Sequence, residues 1–173
     1  MMKIPPAVVA PVRFVPPFLL SPIVSRVFFQ VIRAHPGLFE RLGEHVNKRF
    51  GFRPSDLPLA FLVEPEAPRI SVLRSSAEFV TDAAIEGPLV MLLALLEGKL
   101  DGDALFFSRD ITVTGDMEAM LALRNALDDC NVDLPADLGK GAGPFAPVVR
   151  TIAGFVRDRA LAADTKEDAR SWN

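Results

Sequence analysis

The chain has 173 residues, of which 50% are hydrophobic and 24% are charged, and its mean hydropathy is +0.27. This length suits one domain and excludes a second full one, while the apolar content excludes a wholly disordered chain. The single cysteine, Cys130, excludes an intramolecular disulfide and a thiolate metal cage. A reducing, cytoplasmic compartment is the simplest expectation. Apolar residues in this number can be buried in a dense core, inserted into a membrane, or used to line a cavity for an apolar ligand.

Charge is distributed unevenly along the chain, although the net value is only −3. Residues 1–53 are basic in balance and the remainder is acidic. A basic leader on an acidic body fits either an anionic partner, such as a membrane surface, or attraction between leader and body. The basic residues are single and spaced among aliphatic ones, so we expect no nucleic-acid partner.

The N-terminal segment 1–53 is predicted to be a leader. Residues 1–22 are rich in proline and read as an extended apolar arm, and a helix is expected to begin at Ser21-Pro22. Its apolar stripe and basic polar face fit an anionic bilayer surface, and packing on the domain is the alternative. A second helix is expected over 38–50. The candidate membrane contacts are Ile23, Arg26, Val27, Phe28, Val31 and Arg33.

Proline and arginine interrupt every apolar stretch, so we expect no signal peptide and no spanning helix. The expected localisation is therefore cytoplasmic, with peripheral contact to the inner membrane as an open alternative.

From Leu57 the apolar period changes to two, which indicates strands. Short spacers at 64–69 and 74–78 favour antiparallel hairpins. Helices are predicted after Gly87-Pro88 and after the Gly115-Asp116 turn. The result is an α+β domain over 55–130, an antiparallel sheet of about five strands covered by helices. The strands fall at 57–63, 70–72, 79–85 and 105–114, and the helices at 89–96 and 117–129.

Beyond this core, the sequence predicts a Gly/Pro-rich linker at 131–144, an amphipathic helix at 145–162 and a polar tail at 163–173.

Residues that carry chemistry are few. His35 and His45 are ten positions apart on the leader, too far to share a metal, and Cys130 follows two aspartates that would disfavour its thiolate. The glycine cluster at 139–143 has no preceding strand and does not complete a phosphate-loop spacing. The pairs Asp101/Asp103 and Asp128/Asp129 fit solvated positions. We therefore expect no catalytic residue, no metal and no cofactor, and no enzymatic activity.

Three short segments carry a resemblance to a known family. They are AIEGP at 84–88, GKLDGDALFF at 98–107 and ITVTGD at 111–116, and in this order they resemble the type-2 sterol carrier protein domain. DALFFSR at 103–109, the Gly115-Asp116 turn and LRNALD at 123–128 look like the bacterial UbiT branch, accessory factors of oxygen-independent ubiquinone biosynthesis.

The resemblance implies a helix-covered sheet with an apolar cavity that binds a prenylated quinone precursor or another lipid. It also implies work beside ubiquinone-biosynthesis proteins, including iron–sulfur hydroxylation partners, without catalysis. A membrane-docking or scaffold role of the leader, with a solid body, is the alternative. The predicted cavity lining is Phe61, Val63, Ile70, Val72, Ile85, Leu89, Leu92, Leu93, Leu96, Phe107, Ile111, Val113, Met117, Met120 and Leu121.

Overall fold

The computed structural model describes residues 14–96, 111–130 and Val132. Several predictions lie outside these residues: the proline-rich start at 1–13, positions 105–110 of the last predicted strand, and nearly all of the linker, C-terminal helix and tail. Phe107 of the predicted lining also lies outside them.

Five strands form one sheet in the order β3-β2-β1-β4-β5. All neighbouring strands are antiparallel except β1 and β4, which are parallel. The predicted α+β class is confirmed, but the sheet is mixed rather than antiparallel throughout. The strands are β1 (Phe50–Pro54), β2 (Leu59–Glu64), β3 (Arg69–Arg74), β4 (Ala83–Gly87) and β5 (Thr112–Gly115).

The parallel pair arises from a central strand that the sequence does not predict. Residues 50–54 form β1, directly after the segment 38–50 that is predicted as a helix and contains only the 3-10 segment Glu40–His45. The spacer 64–69 is a hairpin as predicted, whereas the chain after β3 crosses to the far side of β1 instead of forming a second hairpin. The strand predicted over 79–85 consequently begins only at Ala83.

Close approach at Gly51 accommodates this crossing segment. A Cβ on Gly51 would lie 2.7 Å from Cγ2 of Thr81 and 3.4 Å from the Phe79 ring. The Arg53 guanidinium, on the same sheet face, lies 4.3 Å from the centroid of that ring. Phe79 and Thr81 therefore cover the outer face of the sheet instead of extending β4.

Helices cover the opposite, inner face of the sheet. They are α1 (Pro17–Ala34), α2 (Leu89–Leu96) and α3 (Met117–Asp129), and a short 3-10 segment runs over Glu40–His45. Helix α1 packs on β3, α2 contacts β1 and β4, and α3 contacts β4 and the 3-10 segment. The described part of the chain is thus a sheet with helices on one face.

Helix α1 begins earlier than the sequence predicts, since residues 17–22 are helical and not extended. Pro17 occupies the first helical position, where the missing N–H costs nothing. Pro22 lies inside the helix and is exposed, and the hydroxyl of Ser21 donates a hydrogen bond to the carbonyl of Pro17 at 3.0 Å. The predicted helix start at Ser21-Pro22 is therefore too late, because the preceding prolines are also a sign of extended chain.

The starts of α2 and α3 follow the sequence signals closely. Helix α3 spans the predicted residues, and the Asp116 carboxylate accepts a hydrogen bond from the Ala119 N–H at 3.0 Å. Gly115 supplies the preceding turn with φ +81°. At α2, the carboxylate of Asp56 accepts from the Leu89 N–H at 2.9 Å, so a distant loop caps this helix.

Candidate functional site

The inner face of the sheet is the candidate site, because it is apolar along almost its whole width. Paired positions on neighbouring strands share a face, so the register places one apolar set together. Arg74, at the end of β3, is the one charged residue among these strand positions. The apolar members are Phe50, Phe52, Leu59, Phe61, Val63, Ile70, Val72, Ala83, Ile85 and Val113.

Most of the predicted lining lies in this region, but its members differ in burial. One group is buried: Val63, Val72, Ile85, Leu92, Ile111 and Met120. Another group is only half-buried: Phe61, Ile70, Leu89, Leu93 and Val113. Because the half-buried side chains keep part of their surface uncovered, they are the ones that a bound apolar molecule could contact.

Two predicted lining residues point away from the core. Met117 and Leu121 are 53% and 52% exposed, although they belong to the predicted stripe of α3. The helix instead buries Ala119, Met120, Leu123, Ala126 and Leu127. Two of these buried residues are small alanines, so the buried stripe is shifted from the one drawn through the larger residues. Leu96 lies at the end of α2.

Sequence reasoning missed several residues of the inner layer. Phe50 is completely buried, and Phe52 packs against the same core cluster. Their alternation with Gly51 and Arg53 is a period-two signal that could have identified β1. Met91, Leu95 and Leu123 are also buried in this cluster. The all-apolar sequence of α2 gives no periodicity from which to choose Met91 and Leu95, and Leu123 lies on the side of α3 that the predicted stripe missed.

The predicted membrane-contact stripe of α1 divides between two faces. Val27 and Val31 are 7% and 6% exposed, and Phe28 packs against the core. Ile23 is half-buried, whereas Arg26 and Arg33 are exposed. Packing on the domain, the alternative drawn from the sequence, is therefore what the structure shows for the buried members.

Helix α1 has 18 residues with a mean hydropathy of 1.2, so it is long and apolar enough to cross a membrane by length and composition alone. Buried core helices and signal sequences meet the same measure, and Arg26 and Arg33 interrupt the segment, so the prediction of no spanning helix stays a prediction. Only 11% of it is buried. An open depression of about 350 Å³ lies between Arg26, Phe29, Gln30 and Arg33 on the solvent side of the helix.

Two aspartates fix the junctions at the end of the sheet near the start of β1. The Asp82 carboxylate accepts from the Arg49 N–H at 2.8 Å, and this hydrogen bond holds the pKa of Asp82 below its ordinary 3.8 against the opposing effect of burial. The Ala119 N–H, followed by Lys48 at 3.2 Å, lowers the pKa of Asp116. Both carboxylates are therefore ionised at neutral pH.

The chemistry-bearing residues form no reaction centre in the part of the chain that the structure describes. No group of three or more metal-ligating side chains occurs among residues 14–96 and 111–130. Cys130 is a half-buried thiol at the end of α3. His45 is half-buried, and its Nδ1 has no hydrogen-bond partner within the described residues. The geometry of the described residues is that of an apolar layered domain.

A protein-family comparison matches residues 28–128 to the SCP-2 sterol transfer family. The matched segment covers more than half of the chain and contains every described strand. The chain belongs to this family, which confirms the resemblance drawn from the sequence. A comparison with curated proteins finds no match.

Solved structures similar to this chain include a protein described as "UbiJ-SCP2 Ubiquinone synthesis protein", at 17% identity and a TM-score of 0.46, covering 77% of this chain and 98% of the other. Sterol carrier protein 2 from Yarrowia lipolytica, in its apo form, is 14% identical with a TM-score of 0.44, covering 62% and 91%. The Aedes aegypti sterol carrier protein in complex with palmitate is 12% identical with a TM-score of 0.42, covering 57% and 94%.

Proposed function

We propose that this protein is a non-catalytic lipid carrier that shields the apolar tail of a prenylated ubiquinone precursor. The observation that carries the proposal is the membership of residues 28–128 in the SCP-2 sterol transfer family. The inner layer supports it, because half-buried apolar side chains on β2, β3, β5 and α2 leave surface for a ligand.

Affinity in such a site comes from apolar burial. Each buried CH₂ contributes about 0.8 kcal/mol, so a long isoprenoid tail needs no charged anchor to bind tightly. A cavity between the inner sheet face and the helices is part of this proposal. Phe61, Ile70, Leu89, Leu93 and Val113 are the residues that we expect to line it, and the buried members of the predicted set are expected to serve as the packed wall behind them.

The quinone assignment rests on a narrower observation. The segments DALFFSR, Gly115-Asp116 and LRNALD resemble the UbiT branch of the family, whose members act in oxygen-independent ubiquinone biosynthesis. On this proposal the carrier presents its ligand to the iron–sulfur hydroxylation proteins of that route. It is cytoplasmic and works at the periphery of the inner membrane, where its ligand resides.

Native mass spectrometry of the delipidated full chain, titrated with an isoprenoid quinone, tests the carrier. We expect saturable binding of one quinone per chain. A saturated fatty acid and a sterol, titrated in parallel, separate the two levels of the proposal: binding of these alone would overturn the quinone assignment, and binding of nothing would overturn the carrier.

Phe61→Ser, on the half-buried part of the inner face, should lower quinone affinity at least tenfold, because the aromatic contact with the tail is lost. The matched control is Val80→Ser, since Val80 is 67% exposed. Thermal unfolding of both variants without ligand shows that any loss belongs to binding. Equal affinity of the two variants would show that the ligand does not contact this face.

The alternative is membrane docking or scaffolding by the leader, with a solid body. The structure limits which side of α1 could take part. The stripe containing Val27 and Val31 is packed on the domain and is not free to meet a bilayer in this arrangement. On the opposite side of α1, Phe18, Leu19 and Phe29 are exposed.

A further inference from the structure

Arg74 is the one charged residue among the described strand positions of the inner sheet face, and it ends β3. The ladder pairs it with Leu59 on β2, and the next pair on the same face is Val72 with Phe61. The Arg74 side chain is half-buried. A positive charge therefore lies at one end of an otherwise apolar layer.

The guanidinium of Arg74 reaches toward the start of α1. Its Nη2 donates a hydrogen bond to the carbonyl of Val15 at 3.2 Å, and α1 begins two residues later at Pro17. Helix α1 packs on β3, and its Val31 belongs to the core cluster against which Ile70 packs. The guanidinium is therefore held where the helical layer meets the end of the inner face.

We propose that Arg74 binds the carboxylate of an acidic lipid whose apolar tail lies along the inner face. The ligand class is a prenylated aromatic acid, that is, a precursor that still carries its carboxyl group. This inference rests on the proposed lipid-carrier function and adds a head-group site to it. Arg74 binds and selects the ligand and takes no part in a reaction.

The register provides an apolar row for the tail, and this row begins beside Arg74. Neighbouring strands lie about 4.8 Å apart, so a row across five strands is about 19 Å long. Arg74 lies two residues, or about 6.6 Å, from the first member of the row. A carboxylate held at Arg74 leaves the tail on this row. Its members, in the order of the strands, are Val72, Phe61, Phe52, Ile85 and Val113.

The chemistry of arginine suits a carboxylate head group. A guanidinium presents five N–H donors in a planar fork that matches the two oxygens of a carboxylate. Hydrogen bonds between ionised groups are roughly twice as strong as those between neutral groups. Because Arg74 is half-buried, water screens its charge less than it screens the charge of an exposed arginine.

The electrostatic surroundings also favour an anion. Helix α1 has no acidic residue, α2 has no charged residue at all, and no acidic residue occurs among the inner-face strand positions listed above. Asp56 lies in the loop at this end of the sheet, where its carboxylate accepts a hydrogen bond from the Leu89 N–H at 2.9 Å. A carboxylate on the inner face therefore meets no like charge from these strands or from the two helices.

Arg74 also has a structural role, because its hydrogen bond ties Val15 to β3. A purely structural arginine would affect the stability of the fold and would leave the choice between two ligands unchanged. The two roles are therefore separated by comparing an acid with its uncharged ester in the same variant.

Native mass spectrometry of the delipidated full chain tests the proposal with two matched ligand pairs at neutral pH, where carboxyl groups are ionised. One pair is a farnesylated benzoic acid and its methyl ester, and the other is palmitic acid and methyl palmitate. We expect the unsubstituted chain to bind the prenylated acid about tenfold more tightly than its ester. Arg74→Gln should lower the affinity for the acid about tenfold and leave that for the ester unchanged. Arg74→Lys should keep part of the preference, because lysine retains the charge without the planar fork.

Arg69→Gln is the matched control. Arg69 begins the same strand on the opposite sheet face, where it is exposed and pairs with Glu64 at 2.6 Å. This variant should keep the full preference for the acid. Because acid and ester are compared in one sample, their ratio does not depend on the fraction of folded chain, and a destabilised Arg74→Gln variant still gives a result.

Several outcomes would overturn the proposal. The head-group site is wrong if the unsubstituted chain binds acid and ester equally, or if Arg74→Gln keeps the preference that Arg69→Gln keeps. The ligand class is wrong if a preference that depends on Arg74 occurs in the palmitate pair alone.

Failure of this site and failure of lipid carriage are distinguishable. Binding of acid and ester without preference, or binding of an isoprenoid quinone but of neither acid, overturns the head-group site and leaves the carrier function in place. Binding of none of these ligands overturns the carrier function itself.

Discussion

The inner face of the sheet and the outward face of α1, which is the solvent side that carries Phe18 and Phe29, both contain large apolar side chains. They differ in how far these side chains are buried. Phe50 on the inner face is completely buried, whereas Phe18 on the outward face is 69% exposed. The inner face carries charge only at Arg74, while the outward face has an arginine at each of two positions. Two apolar surfaces of the same chain therefore differ in burial and in the charges beside them.

Replacing the two phenylalanines by alanine should give the largest difference between the regions. Phe50→Ala removes a fully buried ring and should lower the free energy of unfolding by about 3–5 kcal/mol. Phe18→Ala should change it by less than about 0.5 kcal/mol, because the ring contacts mainly solvent. Denaturant unfolding of both variants measures this, and a similar cost at the two positions would break the comparison.

Two glycines with positive φ test how closely the backbone packs at the end of the sheet, where Gly115 lies, with Gly43 of the 3-10 segment as the comparison. A Cβ on Gly115 would lie 2.2 Å from the Asp82 carbonyl oxygen, and its φ is +81°. Gly115→Ala should therefore cost roughly 3 kcal/mol, since backbone must move and the conformation is strained. Gly43→Ala pays for φ +55° but meets nothing within 4 Å, and should cost about 1–2 kcal/mol. Equal costs in thermal unfolding would show that the contact at Gly115 is not tight.

Acid should weaken the junction that Asp82 forms with Arg49. The folded state depresses the pKa of Asp82 below 3.8, so its stabilisation is complete above about pH 4 and is lost as the pH falls through the folded-state value. The carboxylate is partly exposed, and we expect an effect below about 1 kcal/mol. Asp82→Asn should make the acid limb of stability shallower, and an unchanged limb in denaturant titrations from pH 6 to 3 would contradict this assignment.

Local signals in the sequence predicted the parts that short-range chemistry determines. The Gly115-Asp116 turn and the cap of α3 appear where the residues place them, and so does the hairpin between Glu64 and Arg69. Strand β1 gave only a weak signal, the alternation of Phe50 and Phe52 in a five-residue segment, and its parallel partner β4 is distant in sequence.

The candidate site was predictable only in outline. Apolar alternation identifies Phe61, Val63, Ile70 and Val72, but not which of them stay partly uncovered, since burial depends on helices that pack from elsewhere in the chain. On α3, the stripe drawn through Met117 and Leu121 is displaced because the helix buries the side that carries Ala119, Leu123 and Ala126. On α1, periodicity predicts one apolar stripe without telling whether the domain or a bilayer covers it.

The most direct test of lipid carriage is mass spectrometry of the organic extract from protein purified without detergent from its native host. The account predicts a prenylated quinone precursor, present in an amount comparable to the protein and depleted in the Phe61→Ser variant but not in Val80→Ser. A protein that carries no lipid, and that takes up no isoprenoid quinone when one is supplied, would contradict it.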